Sequence, residues 1–234
     1  LQEKNMKKNL VFSMEEYRRR LNLVKERMDH RGIELLLVMD PSHMNYLTGF
    51  DGWSFYVHQG VIIDLRDPDP IWFGRAQDSN AARMTSWLPD DHVFGYKDEY
   101  VQSRYIHTGE FIATLMKGKG RTLAVEMDGY WFNPKMLSTL QRELPGVGIV
   151  DSDNLVGWVK TVKSADEIAY IREAGKITES AMNLAVETIA EGVWEREVAA
   201  LVSAQQIRGT DTYGGDSPAI FPIIPSAERT SSAH

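Results

Sequence analysis

The C-terminal stretch Tyr213-Gly-Gly-Asp-Ser-Pro-Ala-Ile-Phe-Pro-Ile-Ile-Pro-Ser-Ala-Glu-Arg-Thr-Ser-Ser-Ala-His234 combines glycines and small hydroxyl residues with a histidine. A histidine has an ordinary pKa near neutrality, so it can accept and return a proton in a reaction. Glycines let a ligand approach the backbone closely. The stretch is therefore typical of one wall of a small-molecule pocket, but also of a surface turn. The residue types by themselves favour the surface turn.

A second candidate region is the aromatic stretch Phe50-Asp-Gly-Trp-Ser-Phe-Tyr-Val-His58. Its residues Trp53, Phe55 and Tyr56, next to His58, can line a pocket for a compact organic ligand. The alternative is that these rings belong to the hydrophobic core, which is the commoner fate of aromatic side chains. Both interpretations stay open from the residues alone.

Other polar residues give weaker signals. Five of them lie near expected strand or helix ends, where solvated or capping side chains are commoner than ligands: Arg75, Arg83, His107, Glu126 and Asp128. His43 and His58 lack the i, i+4 spacing of a helical zinc pair, and the sequence contains no GxGxxG motif. We therefore expect no metal or dinucleotide site in the first two-thirds of the chain.

The elements that would position these residues alternate between helix and strand. Ser13-Met-Glu-Glu16 is a capping box that predicts a helix to about Arg31, and the apolar run 34–39 predicts a central strand buried on both faces. A short helical turn is expected within 41–49. Further strands are expected at 61–64, 70–73, 92–96, 121–126 and 147–151, and helices at 78–87, 105–116 and 133–144. This order predicts a three-layer α/β domain with a mixed sheet that contains one antiparallel hairpin.

The pattern changes near residue 161. Ser164-Ala-Asp-Glu167 is a second capping box, which predicts a helix to about Glu191 with Ile168, Ile171, Ala174, Ala181 and Leu184 along one face. Another amphipathic helix is expected over 194–207. Ile220, Phe221, Ile223 and Ile224 then predict a short, buried, proline-interrupted strand. We expect residues 1–160 to form one domain and residues 161–234 to begin another.

Composition excludes several classes of function. The formal net charge of -7 argues against electrostatic binding to nucleic acid or to an anionic membrane. The absence of cysteine excludes disulfides, thiolate metal sites and a cysteine nucleophile. No apolar run is long enough to span a membrane, and the first ten residues lack the apolar core of a signal peptide. We therefore expect a cytoplasmic protein with no nucleic-acid or membrane partner.

The sequence resembles the creatinase and prolidase superfamily, whose members carry an N-terminal α/β domain followed by a pita-bread catalytic domain. The resemblance covers nearly the whole chain. Its most specific segments are Phe12-Ser-Met-Glu-Glu-Tyr-Arg-Arg-Arg, Asn45-Tyr-Leu-Thr-Gly-Phe and Val162-Lys-Ser-Ala-Asp-Glu-Ile with Ile171-Arg-Glu-Ala-Gly. The resemblance implies that residues 161–234 are the beginning of a pita-bread domain.

Three further segments are most similar to the ectoine hydrolases, which open the cyclic amidine of an osmolyte: Asp51-Gly-Trp-Ser-Phe-Tyr-Val, Pro70-Ile-Trp-Phe-Gly-Arg and Asp98-Glu-Tyr-Val-Gln-Ser. By this resemblance His234 is the catalytic acid/base, and Trp53, Phe55 and Tyr56 contact a small-molecule substrate. The resemblance also implies a homodimer, in which these aromatics act across the subunit boundary.

The sequence departs from the superfamily pattern at two places. Creatinase has Phe-Gly-Arg where this chain has Phe55-Tyr-Val57, so creatine is not the expected substrate. The superfamily's Asp, Asp, His, Glu and Glu positions would follow His234, so this chain is expected to hold no cofactor or metal itself. A full-length protein of the metallopeptidase type would hold divalent metals. The alternatives are therefore an Xaa-Pro dipeptidase or aminopeptidase, and a non-catalytic pita-bread module that binds basic partners.

Overall fold

The computed structural model describes residue 8 and residues 10–231. The chain divides into two compact units, Leu1–Val162 and Lys163–His234. Each unit has its own hydrophobic core, and the first carries the sheet.

Unit 1 is built on a six-stranded sheet with the order β4-β3-β2-β1-β5-β6. The strands β1 and β2 pair antiparallel, as do β2 and β3, and every other neighbouring pair is parallel. The sheet is therefore mixed, with β2 antiparallel to both of its neighbours. This architecture confirms the predicted α/β fold class. The strands are β1 Leu35–Val38, β2 Gly60–Asp64, β3 Ile71–Arg75, β4 Val93–Tyr96, β5 Thr122–Val125 and β6 Gly148–Asp151.

The buried run in β1 separates two hydrophobic cores. Alternate residues of a strand point to opposite faces, and accordingly Leu36 and Val38 belong to one core while Leu35 and Leu37 belong to the other. Helices cover both faces, which gives three layers. The helices of unit 1 are α1 Met14–His30, α2 Pro41–Thr48, α3 Ser79–Thr85, α4 Thr108–Met116, α5 Pro134–Glu143 and α6 Leu155–Lys160.

The connection after β1 is a complete helix rather than the single helical turn expected from the sequence. Asp40 caps α2 by accepting hydrogen bonds from the backbone N–H groups of Ser42 and His43. Pro41 occupies the first turn, where its missing N–H costs nothing, and Gly49 ends the helix with a φ of 78°. These three signals define both ends of α2, which explains why a segment as short as eight residues forms a helix.

Unit 2 contains α7 Ala165–Thr188 and α8 Glu195–Arg208. The predicted second capping box is confirmed, because the Ser164 hydroxyl accepts from Glu167 N at 3.2 Å and the Glu167 carboxylate accepts from Ser164 N at 2.8 Å. The core of this unit is small and consists of Ala181, Ala185, Val198 and Val202, with Ile224 packed against it.

The strand predicted at 220–224 is wrong. Ile220, Phe221 and Ile223 are 71%, 75% and 46% exposed, and this segment forms neither helix nor strand. Its prolines remove donors that a sheet requires, and no strand is present among the described residues of unit 2 to pair with it. His234 lies outside the described residues.

Candidate functional site

The carboxyl ends of five strands meet at one edge of the unit 1 sheet, because β1, β3, β4, β5 and β6 run in the same direction. This edge of an α/β sheet is where ligands usually bind. The aromatic stretch 50–58 leads into the amino end of the antiparallel strand β2, so it lies at the same edge. The topology therefore places the aromatic stretch at the sheet edge where ligands of α/β proteins usually bind.

The three predicted aromatic residues are exposed rather than buried in the core. Trp53, Phe55 and Tyr56 are 66%, 80% and 48% exposed. Their rings form a continuous series, with centroids 6.1 Å apart for Trp53 and Phe55 and 5.4 Å apart for Phe55 and Tyr56. Their role in substrate binding stays a prediction, but the alternative that they are core residues is wrong.

Phe55 and Tyr56 line a cavity of about 150 Å³, while Trp53 is not part of its wall. The wall also includes Gln59, Trp131 and Asn133, together with His58, whose contacts define the polar side of the cavity. None of the lining residues is an aspartate, glutamate, lysine or arginine. The cavity thus combines aromatic surface with a few uncharged polar groups, as small-molecule sites commonly do.

His58 is fixed in one orientation by two hydrogen bonds. Its Nδ1 lies 2.6 Å from Thr108 Oγ1, and its Nε2 lies 3.3 Å from Asn133 Nδ2. The Asn133 amide is itself oriented, because its Oδ1 accepts from Met136 N at the start of α5. Asn133 therefore donates to His58 Nε2, which assigns the His58 proton to Nδ1, the nitrogen that donates to Thr108.

His58 is held in its neutral form. Burial and, to a smaller extent, the neighbouring His107 ring, with its centroid 5.3 Å away, together lower the pKa of His58 to about 4. Burial also lowers the pKa of His107, and the nearby Lys135 acts in the same direction. His107 caps α4 by accepting from Gly109 N, which is the capping role predicted for this residue.

The low pKa of His58 predicts a loss of stability in acid. Unfolded His58 has a pKa near 6.5, so between pH 6.5 and about 4 the unfolded chain binds a proton that the folded chain does not. The free energy of unfolding should therefore fall by about 3 kcal/mol over this range through His58. His58→Asn should remove this contribution, whereas the exposed His30→Asn should retain it. Urea unfolding at a series of pH values between 4 and 8 measures the free energy of unfolding of each protein. If this free energy depends on pH in the same way in wild type and His58→Asn, the prediction is contradicted.

Glu126 is buried, so the prediction that it is a solvated or capping group is wrong. It is 8% exposed and follows β5 at the same edge of the sheet. Its Oε2 accepts from Met39 N at 2.7 Å and from Asp40 N at 2.8 Å, and its Oε1 lies 2.6 Å from His43 Nδ1. Glu126 therefore holds the end of β1 and the start of α2. The apolar strand 122–125 before it gave no sign of this role.

Arg75, Arg83 and Asp128 fit the ordinary roles that the sequence suggested. Arg75 forms a two-bond ion pair with the Asp98 carboxylate, at 2.7 and 2.9 Å, which raises the pKa of Arg75. Arg83 donates to the Ser79 hydroxyl, and Asp128 is exposed. Val57, at the position where the resemblance leads us to expect the arginine of creatinase, is 7% exposed.

Comparison with known proteins identifies the family. The profile of the creatinase/prolidase N-terminal domain matches residues 20–162. The chain belongs to the creatinase/prolidase family. The profile of metallopeptidase family M24 matches residues 169–234, which lie within unit 2.

Two relatives of this creatinase/prolidase chain are particularly similar to it. An uncharacterized hydrolase/peptidase of Sinorhizobium fredii is 41% identical over 229 residues, covering 96% of this chain and 58% of the relative. The ectoine hydrolase of Halomonas elongata is 38% identical over 235 residues, covering 97% of this chain and 59% of the relative. The chain thus spans somewhat more than half the length of these relatives.

Solved structures agree on the fold of this family member. The prolidase of Thermococcus sibiricus has a TM-score of 0.70 at 18% identity, covering 91% of this chain and 54% of that protein. The prolidase of Pyrococcus horikoshii has a TM-score of 0.64 at 21% identity, covering 80% of this chain and 48% of that protein. At these identities the likeness establishes the fold alone.

The described part of the creatinase/prolidase chain contains no group of three or more histidine, cysteine, aspartate or glutamate side chains arranged to hold a metal ion. His43 Nδ1 contacts Glu126 Oε1, and Glu126 Oε2 accepts from the backbone N–H groups of Met39 and Asp40 after β1. Over residue 8 and residues 10–231, no helix is both long and apolar enough to cross a membrane.

Proposed function

We propose that this chain is the N-terminal portion of a hydrolase that opens the ring of ectoine by cleaving a C–N bond. The observation that carries the proposal is the 38% identity to an ectoine hydrolase over 97% of this chain. The match includes the aromatic stretch, which the structure brings to a cavity at the expected edge of the sheet. Residues 1–160 would form the N-terminal domain and residues 161–234 the beginning of the catalytic domain.

The proposed reaction needs one water and no redox partner. Water adds to the amidine carbon, the bond from that carbon to one ring nitrogen breaks, and the products are an amide and a free amine on one open chain. The departing nitrogen needs a proton, and the attacking water must lose one. We assign both transfers to His234, because a histidine can accept and return a proton near neutral pH.

The aromatic residues would hold the substrate ring. Phe55 and Tyr56 line the cavity, and Trp53 extends their surface outward. Flat aromatic faces favour a compact ring by dispersion and by contact with its N–H groups. We further propose a homodimer in which these residues complete the active site of the partner subunit. Their exposure in the single chain supports this arrangement.

An Xaa-Pro dipeptidase or aminopeptidase is the second candidate, favoured by the match of residues 169–234 to metallopeptidase family M24. A further relative also supports this candidate, because the Xaa-Pro dipeptidase of Lactobacillus delbrueckii is 24% identical over 190 residues. In that case the full-length protein would bind divalent metals. Since residue 8 and residues 10–231 contain no group of three or more histidine, cysteine, aspartate or glutamate side chains arranged to hold a metal ion, other residues would be needed to complete the metal site.

An NMR assay of ectoine ring opening by the full-length parent, with and without a strong chelator, tests the proposal. We expect ectoine to be consumed. Turnover that survives the chelator would establish a metal-free reaction and make His234 the principal acid/base candidate. Turnover that is abolished by the chelator and restored by added metal would keep the substrate and assign the attacking water to a metal site. Absence of ectoine turnover together with cleavage of an Xaa-Pro dipeptide would replace the proposal by the second candidate.

A further inference from the structure

A crevice with a volume of about 710 Å³ lies at the carboxyl ends of β1, β5 and β6. Its wall consists mainly of residues at or just after the ends of these strands: Asp40, His43, 126–130 and 151–154. Of its described wall residues, only Tyr130 also belongs to the cavity lined by Phe55 and Tyr56. We call this second space the acidic crevice, because several of its wall residues are carboxylates.

The acidic crevice lies where two neighbouring strands send their connections to opposite faces of the sheet. The parallel strands β1 and β5 are paired side by side. Helix α2, which follows β1, packs into the core that contains Leu36, whereas α5, which follows β5, packs into the core that contains Leu35. The diverging connections leave an opening between the two strand ends. Ligands of α/β proteins bind at this kind of position.

His43 supplies a hydrogen-bond acceptor in the wall of the acidic crevice. The residue is 9% exposed, and its Nδ1 lies 2.6 Å from Glu126 Oε1. A carboxylate can only accept hydrogen bonds, so the proton of the neutral ring is on Nδ1. The other ring nitrogen, Nε2, has no hydrogen-bond partner among the described residues, yet it is not one of their fully enclosed polar atoms. Nε2 is therefore accessible and free to accept from a ligand.

The charges in the wall of the acidic crevice are negative. Its described residues include no lysine or arginine, and they include five carboxylates: Asp40, Glu126, Asp128, Asp151 and Asp153. Asp153 forms an ion pair with Arg31 at 2.8 Å, but Asp128 and Asp151 have no cationic partner within the described part of the chain. Trp158 is 59% exposed and adds an aromatic surface that attracts cations. These groups together favour a positively charged organic ligand.

We propose that the acidic crevice binds a linear diamine, with one ammonium group donating to His43 Nε2 and with Asp128 and Asp151 balancing the charge of the ligand. An ammonium group has three N–H donors and no acceptor, so it complements a wall of acceptors. Adjacent strands lie about 4.8 Å apart, so the carboxylates that follow β1, β5 and β6 are spread over about 10 Å. A chain with an ammonium group at each end can therefore reach carboxylates on more than one strand. Glu126 is a positioning residue, because it orients His43.

This inference concerns a different ligand and a different part of unit 1 from the proposed function. It requires no turnover and no residue after 231. A failure of ectoine hydrolysis would leave it standing, and a failure of diamine binding would leave the hydrolase proposal standing.

Titration of the 234-residue chain with 1,4-diaminobutane, followed by ¹H–¹⁵N NMR, tests the inference. The titration is run at pH 8, because the imidazole must be neutral to accept at Nε2. The amide signals of the wall residues Gly129 and Ser152 should shift in a saturable way. The matched probe 1,4-butanediol has the same carbon chain but no charge, so it should bind at least about tenfold more weakly.

Two variants test the groups that carry the proposal. His43→Asn keeps an N–H for Glu126 but removes Nε2, and Asp151→Asn keeps an oxygen for Asp153 N but removes the charge. Each should weaken diamine binding by about five- to tenfold, because one charge-assisted hydrogen bond is lost. Asp91→Asn changes an exposed carboxylate outside the wall and should leave the affinity unchanged.

Several results would overturn the proposal. These are the absence of saturable shifts, equal affinities for the diamine and the diol, and wild-type affinity in both folded variants. A separate titration with Mg²⁺ addresses a metal site: if Mg²⁺ shifts the same amides and displaces the diamine at lower concentration, the proposal is also overturned. Because His43 is buried, its variant can fail to fold, which loss of dispersion in the spectrum would reveal. The exposed Asp128→Asn then decides, since weaker diamine binding supports the proposal and unchanged binding overturns it.

Discussion

Replacing Glu126 by alanine is expected to lower the free energy of unfolding by about 3–5 kcal/mol. The carboxylate is buried and accepts the backbone N–H groups of Met39 and Asp40, and it contacts His43 Nδ1. Alanine would leave these donors without their acceptor at the junction of β1 and α2. A buried donor that loses its partner costs roughly 1–3 kcal/mol, and several do so at once here.

Two further variants separate the hydrogen bonds of Glu126 from its charge. Glu126→Gln keeps an oxygen for the two backbone donors, so it should cost only about 1–2 kcal/mol. Asp128→Asn changes an exposed carboxylate two residues away and should stay within about 0.5 kcal/mol of wild type. Urea unfolding of the four proteins at pH 7 measures these values. Equal stability of Glu126→Ala and Asp128→Asn would contradict the role assigned to Glu126.

The parts of the fold that could be predicted are those specified by local sequence. The run of apolar residues at 35–38 is buried on both faces, the hairpin of β2 and β3 forms, and Ser164 caps α7. In each case the signal and the structure lie within a few residues of each other. Buried strands and helix caps can therefore be predicted from local sequence, because they depend little on distant contacts.

The parts that could not be predicted depend on distant partners. Glu126 meets His43 across 83 residues of sequence, and His58 meets Thr108 and Asn133 across 50 and 75 residues. The run 220–224 has the composition of a strand, but a strand also requires a neighbour to pair with. Trp53, Phe55 and Tyr56 could be selected from the sequence as candidates, whereas the hydrogen bonds that orient His58 became visible only in the structure.

The Glu126 contacts and the cavity share one structural element. Met39 and Pro41 belong to the cavity wall, and the backbone N–H groups held by Glu126 are those of Met39 and of the residue before Pro41. The carboxylate therefore fixes the position of one side of the cavity without contacting its interior. This arrangement follows a general requirement, because a binding site needs a rigid support to hold its groups in place.

Substitution of His234 in the full-length parent is expected to lower kcat for ectoine by about 10²- to 10⁴-fold, because an acid/base residue typically contributes this much. Phe55→Ala should behave differently. It removes contact with the substrate ring, so KM should rise by up to about tenfold while kcat changes less.

Steady-state kinetics of His234→Asn, Phe55→Ala and the exposed-residue control His30→Asn distinguish these roles. The control should match wild type. An unchanged kcat in His234→Asn would contradict the proposed acid/base role of His234. An unchanged KM in Phe55→Ala would contradict the proposed contact between the Phe55 ring and the substrate. Because the two variants alter different kinetic constants, proton transfer and ring contact can be tested separately in the same assay.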